Sequence, residues 1–251
     1  MKIQNKNVVV TGGSSGIGLK LVETFLEEGC KVVAGSRTIE SSDINHDRLF
    51  KKNCDVSKKE ELDQLFKFAV EKLSGIDIFV ANAGFAYYEK IEKPDWGHIQ
   101  KIFDTNTISV IYSAGKMKEL YPKKPYNFVC VASAIGLLSI PGFAIYSGTK
   151  AALSGFADAY RYELENQQKF QVVYPISTKT SFFKSSWDVS PPPPVQDVET
   201  VTKSILKGIR KDKNRIFPSK AFYIMNTFFP FLNKIYVNKE NKKFHQWQKE
   251  R

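Results

Sequence analysis

Tyr146 and Lys150 are the residues of this sequence whose types and spacing point most directly to chemistry. They lie four residues apart, so on a helix they share one face. A tyrosine in water titrates near ~10 and transfers protons poorly at neutral pH. A neighbouring ammonium favours the phenolate, and lowering the tyrosine pKa to about 7 takes roughly 4 kcal/mol of differential interaction. The pair can therefore form a proton-transfer site.

Ser133 adds a third polar group, thirteen residues before Tyr146 and directly after the apolar run 128–132. The run predicts a buried strand with Ser133 at its carboxyl end, which is the edge where open α/β sheets bind ligands. A hydroxyl there can hold a substrate oxygen. A tyrosine and a lysine at this spacing are common in proteins, mostly as a half-buried phenol beside a solvated ammonium. The catalytic interpretation therefore depends on the rest of the chain.

The elements that position these residues begin with a strand, a glycine turn and a helix. An apolar run at 7–10 leads into Thr11-Gly-Gly-Ser-Ser-Gly-Ile-Gly18, a helical pattern follows to residue 26, and a second apolar run occupies 30–34. This is a βαβ unit. Glycines at 12, 16 and 18 let the backbone approach a phosphate, and the helix N-terminus adds its dipole. A Walker loop is excluded because Leu19 stands where lysine is required.

The end of the second strand indicates which dinucleotide the turn binds. A site for NAD usually offers a carboxylate there, whereas this sequence has Ser36 and Arg37. An arginine is a good bidentate partner for the 2′-phosphate of NADP, and Ser14 can add a hydroxyl donor. The sequence therefore favours NADP(H) over NAD(H).

Strands and helices alternate through residue 175 without a change of composition. Further strands are predicted at 49–54, 76–81 and 170–174, with an edge strand at 215–218. Helices are predicted at 58–73, 96–120, 144–165 and 198–209, the first of them with Ser57 as N-cap and Glu60 completing a capping box. The pattern predicts an α/β fold, a doubly wound parallel sheet in a single domain over 1–251.

Composition limits the remaining classes of function. The 251 residues are 42% hydrophobic and carry a net charge of +11, which suits a lysine-rich solvated surface as well as an anionic partner.

Three cysteines in apolar surroundings predict reduced core thiols, and three isolated histidines predict no metal site. No nucleic-acid-binding signature is present. We expect a cytoplasmic protein because no leader pattern or ~18-residue apolar run occurs.

Two segments stand outside the alternating pattern. Residues 178–196 contain Pro191-Pro-Pro-Pro194 and predict a flap over the site, fixed at its proline end. Residues 219–251 form an apolar and basic extension that Pro230 interrupts. Four interpretations of this extension stay open: core packing, a wall around an apolar substrate, contact with a partner subunit, or peripheral contact with an anionic membrane.

The motifs together resemble those of the short-chain dehydrogenase/reductase family, in its form of roughly 250 residues and with its Rossmann fold. Residues 11–18 are similar to the family's cofactor loop, Asp55-Val56 to its adenine contact, and Asn82-Ala-Gly84 to its Asn-Asn-Ala-Gly element with Ala81 replacing the first asparagine. The catalytic residues implied are Asn106, Ser133, Tyr146 and Lys150. The cofactor contacts expected from the resemblance and the strand-end chemistry are Gly12, Ser14, Ser15, Gly16, Ile17, Gly18, Ser36, Arg37, Asp55, Val56, Asn82, Ala83, Gly84, Tyr146, Lys150, Pro175 and Thr180.

The resemblance implies a role for each catalytic residue. Ser133 hydrogen-bonds the carbonyl or alcohol oxygen, Tyr146 is the general acid or base, and Lys150 lowers the tyrosine pKa and holds the nicotinamide ribose. Asn106 positions a water that links the lysine to solvent. One position departs from the family: Ile176 replaces the glycine after Pro175, so the turn that leads to Thr180 can differ.

The sequence thus predicts an NADP(H)-dependent oxidoreductase that interconverts a carbonyl and an alcohol, as a homodimer or homotetramer. The alternative is a non-catalytic dinucleotide sensor or scaffold on the same fold. We expect an apolar or bulky small-molecule substrate because the candidate pocket residues are mostly aromatic: Phe85, Tyr87, Ile135, Phe143, Phe182, Phe183 and Trp187.

Overall fold

A parallel sheet of seven strands forms the centre of the computed structural model, which describes residues 1–183 and 191–250. The strand order is β3-β2-β1-β4-β5-β6-β7, and every neighbouring pair is parallel. The predicted α/β fold with a Rossmann-type parallel sheet is therefore confirmed. The strands are β1 (Asn7–Thr11), β2 (Lys31–Ser36), β3 (Leu49–Asn53), β4 (Ile78–Ala81), β5 (Tyr126–Val131), β6 (Gln168–Val173) and β7 (Arg215–Ile216).

Helices cover both faces of this sheet, as a parallel sheet requires. They are α1 (Gly16–Glu27), α2 (Lys59–Leu73), α3 (Trp96–Phe103), α4 (Ser109–Leu120), α5 (Ala144–Tyr160), α6 (Val198–Arg210), α7 (Lys220–Phe228) and α8 (Phe231–Lys249). None of the helices within the described residues is long and apolar enough to cross a bilayer.

The core lies in two layers, one on each face of the sheet. On one face four phenylalanines stack in sequence from α2 across the strands, with ring centroids 5.0 to 5.2 Å apart: Phe66, Phe79, Phe128 and Phe170. On the other face, valines of β1 and β2 pack with apolar side chains of α1 and α6. Burying each such side chain contributes about 1.5 to 3 kcal/mol. The sheet is therefore rigid, and the ends of its strands are fixed relative to one another.

Three local predictions need correction. Ser57 is not the N-cap of α2, because its hydroxyl and amide both bond to Asp55, and the helix begins at residue 59 without a side-chain cap. The helix predicted over 96–120 is divided by a π-helical turn, Asp104–Ile108. The helix predicted to reach residue 165 ends as an α-helix at Tyr160. The edge strand predicted at 215–218 is present but shorter, as Arg215–Ile216.

The base of the predicted flap is closed by pairing between its two ends. Gln196 donates its backbone N–H to Ser177 and accepts from the N–H of Lys179, at 2.9 and 3.0 Å. A salt bridge of 3.1 Å joins Lys179 to Asp197. Residues 184–190, which include Trp187, lie outside the described residues.

Candidate active site

The glycine turn between β1 and α1 has a backbone that side chains would obstruct. Gly12 has a φ of +67°, a left-handed conformation that favours glycine. A Cβ on Gly18 would lie 2.0 Å from the carbonyl oxygen of Gly12, so the turn closes only with glycine there. Asn82 fixes the turn from the next strand by donating to the carbonyl of Thr11 at 3.1 Å.

The N-terminus of α1 can receive an anion. Ser15 is its N-cap but makes no side-chain capping bond, and the first turn carries no acidic residue. The amides of that turn and the helix dipole therefore favour a phosphate. Thr180 lies against the same turn, because a Cβ on Gly16 would be 3.0 Å from its methyl group. The glycine cradle and the uncapped helix end fit the pyrophosphate of a dinucleotide.

The residues predicted to select the cofactor lie at the adjacent strand ends. Ser36 ends β2 with a buried side chain and the neighbouring Arg37 is exposed. Burial alone would raise the pKa of Asp55, but two hydrogen bonds from Ser57 and the positive charges of Arg37 and Lys58 outweigh it and lower this pKa. The arginine therefore lies close enough to Asp55 to influence its charge.

Asn106 sits in the π-helical turn, a deviation often found at functional sites. It is fully buried and clamps the backbone of Phe85, donating to the carbonyl at 2.7 Å and accepting from the N–H at 3.0 Å. A Cβ on Gly84 would lie 3.0 Å from Asn106 Oδ1 and 3.4 Å from Lys150 Nζ. Gly84 therefore lets the amide and the ammonium approach the same point.

Ser133, Tyr146 and Lys150 come together in a buried site between β5 and α5. The Ser133 hydroxyl lies close enough to the Tyr146 phenol to lower its pKa, and it donates to the carbonyl of Pro175 at 3.5 Å. Lys150 Nζ is 5.9 Å from the centroid of the tyrosine ring. Lys150 is itself buried and donates to the carbonyl of Val131 at 3.2 Å. The carbonyl of Pro175 accepts from the N–H of Ala134 at 2.8 Å and so lies beside the serine. The four predicted catalytic residues thus share one site with Pro175 at its edge.

The acid–base properties of this site differ from the expectation for Tyr146. Burial raises the pKa of Tyr146 to about 12, and the hydrogen bond from Ser133 opposes this only in part. Burial also lowers the pKa of Lys150 to about 8. Desolvation disfavours both the phenolate and the ammonium. In the chain by itself the tyrosine is therefore a protonated phenol at neutral pH, and the expected lowering of its pKa by the lysine is not found.

Aromatic side chains pack around Tyr146, and we call the face of the site that they form the candidate cleft. The rings of Phe143 and Phe182 have centroids 6.2 and 6.0 Å from the Tyr146 ring, and Tyr88 packs on Phe143 at 4.9 Å. Phe85, Tyr87 and Ile135 belong to the same cluster. Five of the seven predicted pocket residues therefore belong to the cluster of Tyr146. The side chains of the other two, Phe183 and Trp187, lie outside the described part of the chain.

Helix α8 closes this cleft, which the sequence did not specify. Trp247 and Phe244 contact the Tyr88 ring at centroid distances of 4.9 and 5.7 Å. Tyr236 joins the same cluster and donates its hydroxyl to the carbonyl of Pro193 at 2.8 Å. The C-terminal extension therefore packs against the residues around the candidate active site. Its sequence signalled an apolar segment but not the surface that it covers.

Thr149 is a second residue that sequence reasoning missed. It is fully buried, donates its hydroxyl to the carbonyl of Tyr146 at 2.7 Å, and accepts from Asn106 Nδ2 at 3.2 Å. It therefore links the helix turn of the tyrosine to the asparagine. Its position three residues after Tyr146, on the same helix face, was the available signal.

Known proteins resemble this chain in sequence and in fold. The family model described as "short chain dehydrogenase" matches residues 6–190. The chain belongs to this family. An uncharacterized oxidoreductase of Staphylococcus saprophyticus is 29% identical over 219 residues, covering 82% of this chain and 86% of the relative. A farnesol dehydrogenase of Aedes aegypti is 30% identical over 174 residues, covering 64% of this chain and 71% of the relative.

A solved short-chain dehydrogenase of Burkholderia cenocepacia, in complex with NADP, has the same fold. It superposes with a TM-score of 0.81 at 20% identity, over 94% of this chain and 99% of that one. Structures of similar fold hold NAD as well as NADP, which supports a nicotinamide dinucleotide as the cofactor. Because the present chain belongs to the short-chain dehydrogenase family, it is an oxidoreductase with a small-molecule substrate. Within the described residues, no group of three or more potential ligands is placed to hold a metal ion.

Proposed function

We propose that the protein is an NADP(H)-dependent oxidoreductase that reduces a bulky, apolar ketone or aldehyde. The observation that carries the proposal is the approach of Ser133, the buried Tyr146 and Lys150 to one another beside β5, with the glycine turn at the end of β1 on the same edge of the sheet. The bound dinucleotide supplies the hydride. The chain supplies orientation and the proton.

In reduction, Ser133 donates a hydrogen bond to the carbonyl oxygen, and that bond strengthens as negative charge develops on the oxygen. Tyr146 then gives its phenolic proton to the nascent alkoxide, which is the stronger base. Because burial raises the pKa of Tyr146 to about 12, the phenol holds this proton at neutral pH. Tyr146 is therefore in the protonation state that carbonyl reduction requires.

Lys150 and Asn106 support the proton donor. The lysine Nζ lies 5.9 Å from the centroid of the tyrosine ring, and we propose that it holds the nicotinamide ribose when the dinucleotide is bound. The Asn106 side chain hydrogen-bonds the backbone of Phe85 and the hydroxyl of Thr149. These bonds fix its Oδ1 close to Gly84, which Lys150 Nζ also approaches. We propose that this oxygen positions a water that returns a proton from solvent.

The preference for NADP(H) rests on the end of β2. Ser36 and Arg37 stand there, and no carboxylate occupies the strand end. The guanidinium suits a 2′-phosphate, because a planar pair of donors matches its oxygens. Arg37 follows β2, and Tyr146 lies beside β5, which is three strand spacings away, or about 14 Å. The two side chains can therefore contact opposite ends of one extended dinucleotide.

The substrate class follows from the walls of the cleft. Phe143, Phe182, Tyr88 and Trp247 belong to the aromatic cluster around Tyr146, and side chains of this kind suit an apolar or aromatic molecule. The Aedes aegypti relative is named for farnesol, an isoprenoid alcohol, which agrees with this class.

We also propose a homodimer or homotetramer located in the cytoplasm. Ile108 and Ile111 are exposed at the start of α4 and offer an apolar surface for a second copy. The three cysteines are buried free thiols, which suits a reducing compartment.

A screen of cofactor consumption tests the proposal. NADPH and NADH oxidation would be followed at 340 nm with aldehydes, ketosteroids, retinoids and long-chain ketones of increasing size. We expect NADPH oxidation with the bulky apolar carbonyls and much weaker oxidation with NADH or with small polar ones. Equal use of NADH, or turnover restricted to small polar carbonyls, would contradict the proposal.

A further inference from the structure

The junction of α7 and α8 exposes an unusual concentration of apolar side chains. Phe228, Phe231 and Ile235 are 63%, 65% and 64% exposed. We call the whole surface the α7–α8 tip, and its members are Tyr223, Ile224, Phe228, Phe229, Phe231 and Ile235. Apolar side chains that cluster in water are costly to leave uncovered and mark a contact surface.

The two helices that form the tip are connected by a side-chain hydrogen bond. Asn233 on α8 donates to the side chain of Asn226 on α7 at 3.1 Å. Ser219 caps α7 by accepting from the N–H of Phe222 at 3.2 Å, and Pro230 directly precedes α8. The exposed aromatic side chains therefore lie on two helices that a side-chain hydrogen bond connects, the first of them capped by Ser219.

The charges around the tip indicate what covers it. From Lys213 to Lys239 the chain has five basic residues and no acidic one. The five are Lys213, Arg215, Lys220, Lys234 and Lys239, of which Arg215 is paired with Asp158. A second copy of this surface would bring the same positive charges against each other, because a twofold contact pairs a patch with itself. A partner that is both apolar and anionic avoids this repulsion.

We propose that the α7–α8 tip docks the protein on the surface of an anionic lipid bilayer. The aromatic and aliphatic side chains enter the boundary between headgroups and acyl chains, and the flanking lysines contact anionic headgroups. The contact is peripheral, since none of the helices in the described ranges is long and apolar enough to span a membrane.

The same helix connects the tip to the cleft. Ile235 belongs to the tip, whereas the next residue, Tyr236, packs in the cluster around Tyr146 and bonds to Pro193. Docking therefore holds the wall of the cleft close to the bilayer. If the proposed function holds, an apolar substrate dissolved in the membrane reaches the site along this wall; the docking itself does not depend on catalysis.

Co-sedimentation of the full chain with lipid vesicles tests the docking. The vesicles are phosphatidylcholine alone, or phosphatidylcholine mixed with phosphatidylglycerol. We expect binding to the mixed vesicles, weakened by high salt, and little binding to phosphatidylcholine alone. Replacing Phe228, Phe231 and Ile235 with serine should abolish it. Replacing Lys220, Lys234 and Lys239 with glutamine should weaken it on the order of 100-fold, given the usual contribution of each charge.

A matched variant separates the tip from general surface hydrophobicity. Ile91 and Trp96 are also exposed but lie outside the tip, so replacing both with serine should leave vesicle binding unchanged. Circular dichroism verifies folding, and turnover of a soluble carbonyl should be the same in the tip variant and the wild type. Absence of wild-type binding, or equal binding by the serine tip variant, would overturn the proposal. A mass that falls to monomer in that variant, without vesicle binding, would assign the tip to contact between copies.

Discussion

The buried pair of Tyr146 and Lys150 combines two groups whose charged forms burial disfavours. The tyrosine pKa rises to about 12 and the lysine pKa falls to about 8. A folded protein tolerates this cost when the groups perform a task, and strongly shifted pKa values cluster at functional sites. The residue pattern predicted which side chains meet, but the sign of the tyrosine shift depends on burial, which spacing along a helix does not specify.

The lowered pKa of Lys150 has a consequence for stability. Between pH about 8 and the unfolded value of ~10.4, the unfolded chain holds a proton on this lysine that the folded chain has released. Stability contributed by Lys150 therefore rises with pH, by about 1.4 kcal/mol per unit. In urea unfolding of the cofactor-free protein, wild type should gain ~1 to 2 kcal/mol relative to Lys150→Met from pH 8 to 9.5.

Lys101 provides the control for this measurement, because it is exposed on α3. The difference in unfolding free energy between wild type and Lys101→Met should not change over the same pH interval. A constant difference between wild type and Lys150→Met would show that the lysine keeps its charge in the folded state.

Arg37 carries the prediction for cofactor choice. Replacing it with alanine removes charge-assisted hydrogen bonds to a 2′-phosphate, worth ~1.5 to 3 kcal/mol. The KM for NADPH should rise on the order of 10- to 100-fold, while the KM for NADH should change little. Lys31→Ala, at the opposite end of the same strand, is the control and should alter neither. An equal rise of the KM for NADPH and for NADH in Arg37→Ala would show that Arg37 does not select the cofactor.

At the scale of elements, the π-helical turn and α5 hold the site through Thr149. Its hydroxyl bonds both to the backbone of Tyr146 and to Asn106. In Thr149→Val an amide N–H of Asn106 loses its buried partner, which costs about 1 to 3 kcal/mol of stability. We expect Thr149 to be a positioning residue, so kcat should fall at least tenfold while the KM for the cofactor stays nearly constant.

Ser113→Ala is the matched control for Thr149→Val. Ser113 is a buried serine of α4 that bonds only the carbonyl of Ser109 among the described residues, at 2.7 Å. The Ser113→Ala substitution should lower the free energy of unfolding and leave kcat unchanged. If Thr149→Val loses stability without losing kcat, its role is structural only.

The order of strands and helices was predictable because the apolar runs, the glycine turn and the capping signals are local. The division of the helix around Asn106 was not, since a π-turn depends on side chains such as Phe85 and Thr149 that meet it from elsewhere. Ser57 shows the same limit: the capping pattern is present in the sequence, but the Ser57 hydroxyl donates its hydrogen bond to Asp55 instead.

At the scale of the whole molecule, the C-terminal extension has two surfaces that composition alone could not separate. Part of α8 covers the cluster around Tyr146 through Phe244 and Trp247, and its beginning remains exposed at the α7–α8 tip. Which apolar residues of a terminal segment pack inward depends on contacts more than 100 residues away along the chain, such as that between Trp247 and Tyr88. The positions of the glycine turn and Ser133 were predictable because each lies next to a strand end, and the shared helix face of Tyr146 and Lys150 was predictable from their spacing.

The central claim, that the Tyr146 phenol delivers the proton in an NADPH-dependent reduction, is tested most directly by Tyr146→Phe. NADPH oxidation with an active carbonyl and NADPH binding by fluorescence titration would be measured on the same preparation. Removing one hydroxyl leaves the ring packed against Phe143 and Phe182, so binding should stay within about threefold while turnover falls by at least the 10² typical of a lost acid. Retained turnover would contradict the account, and would leave a dinucleotide-binding protein whose chemistry lies elsewhere.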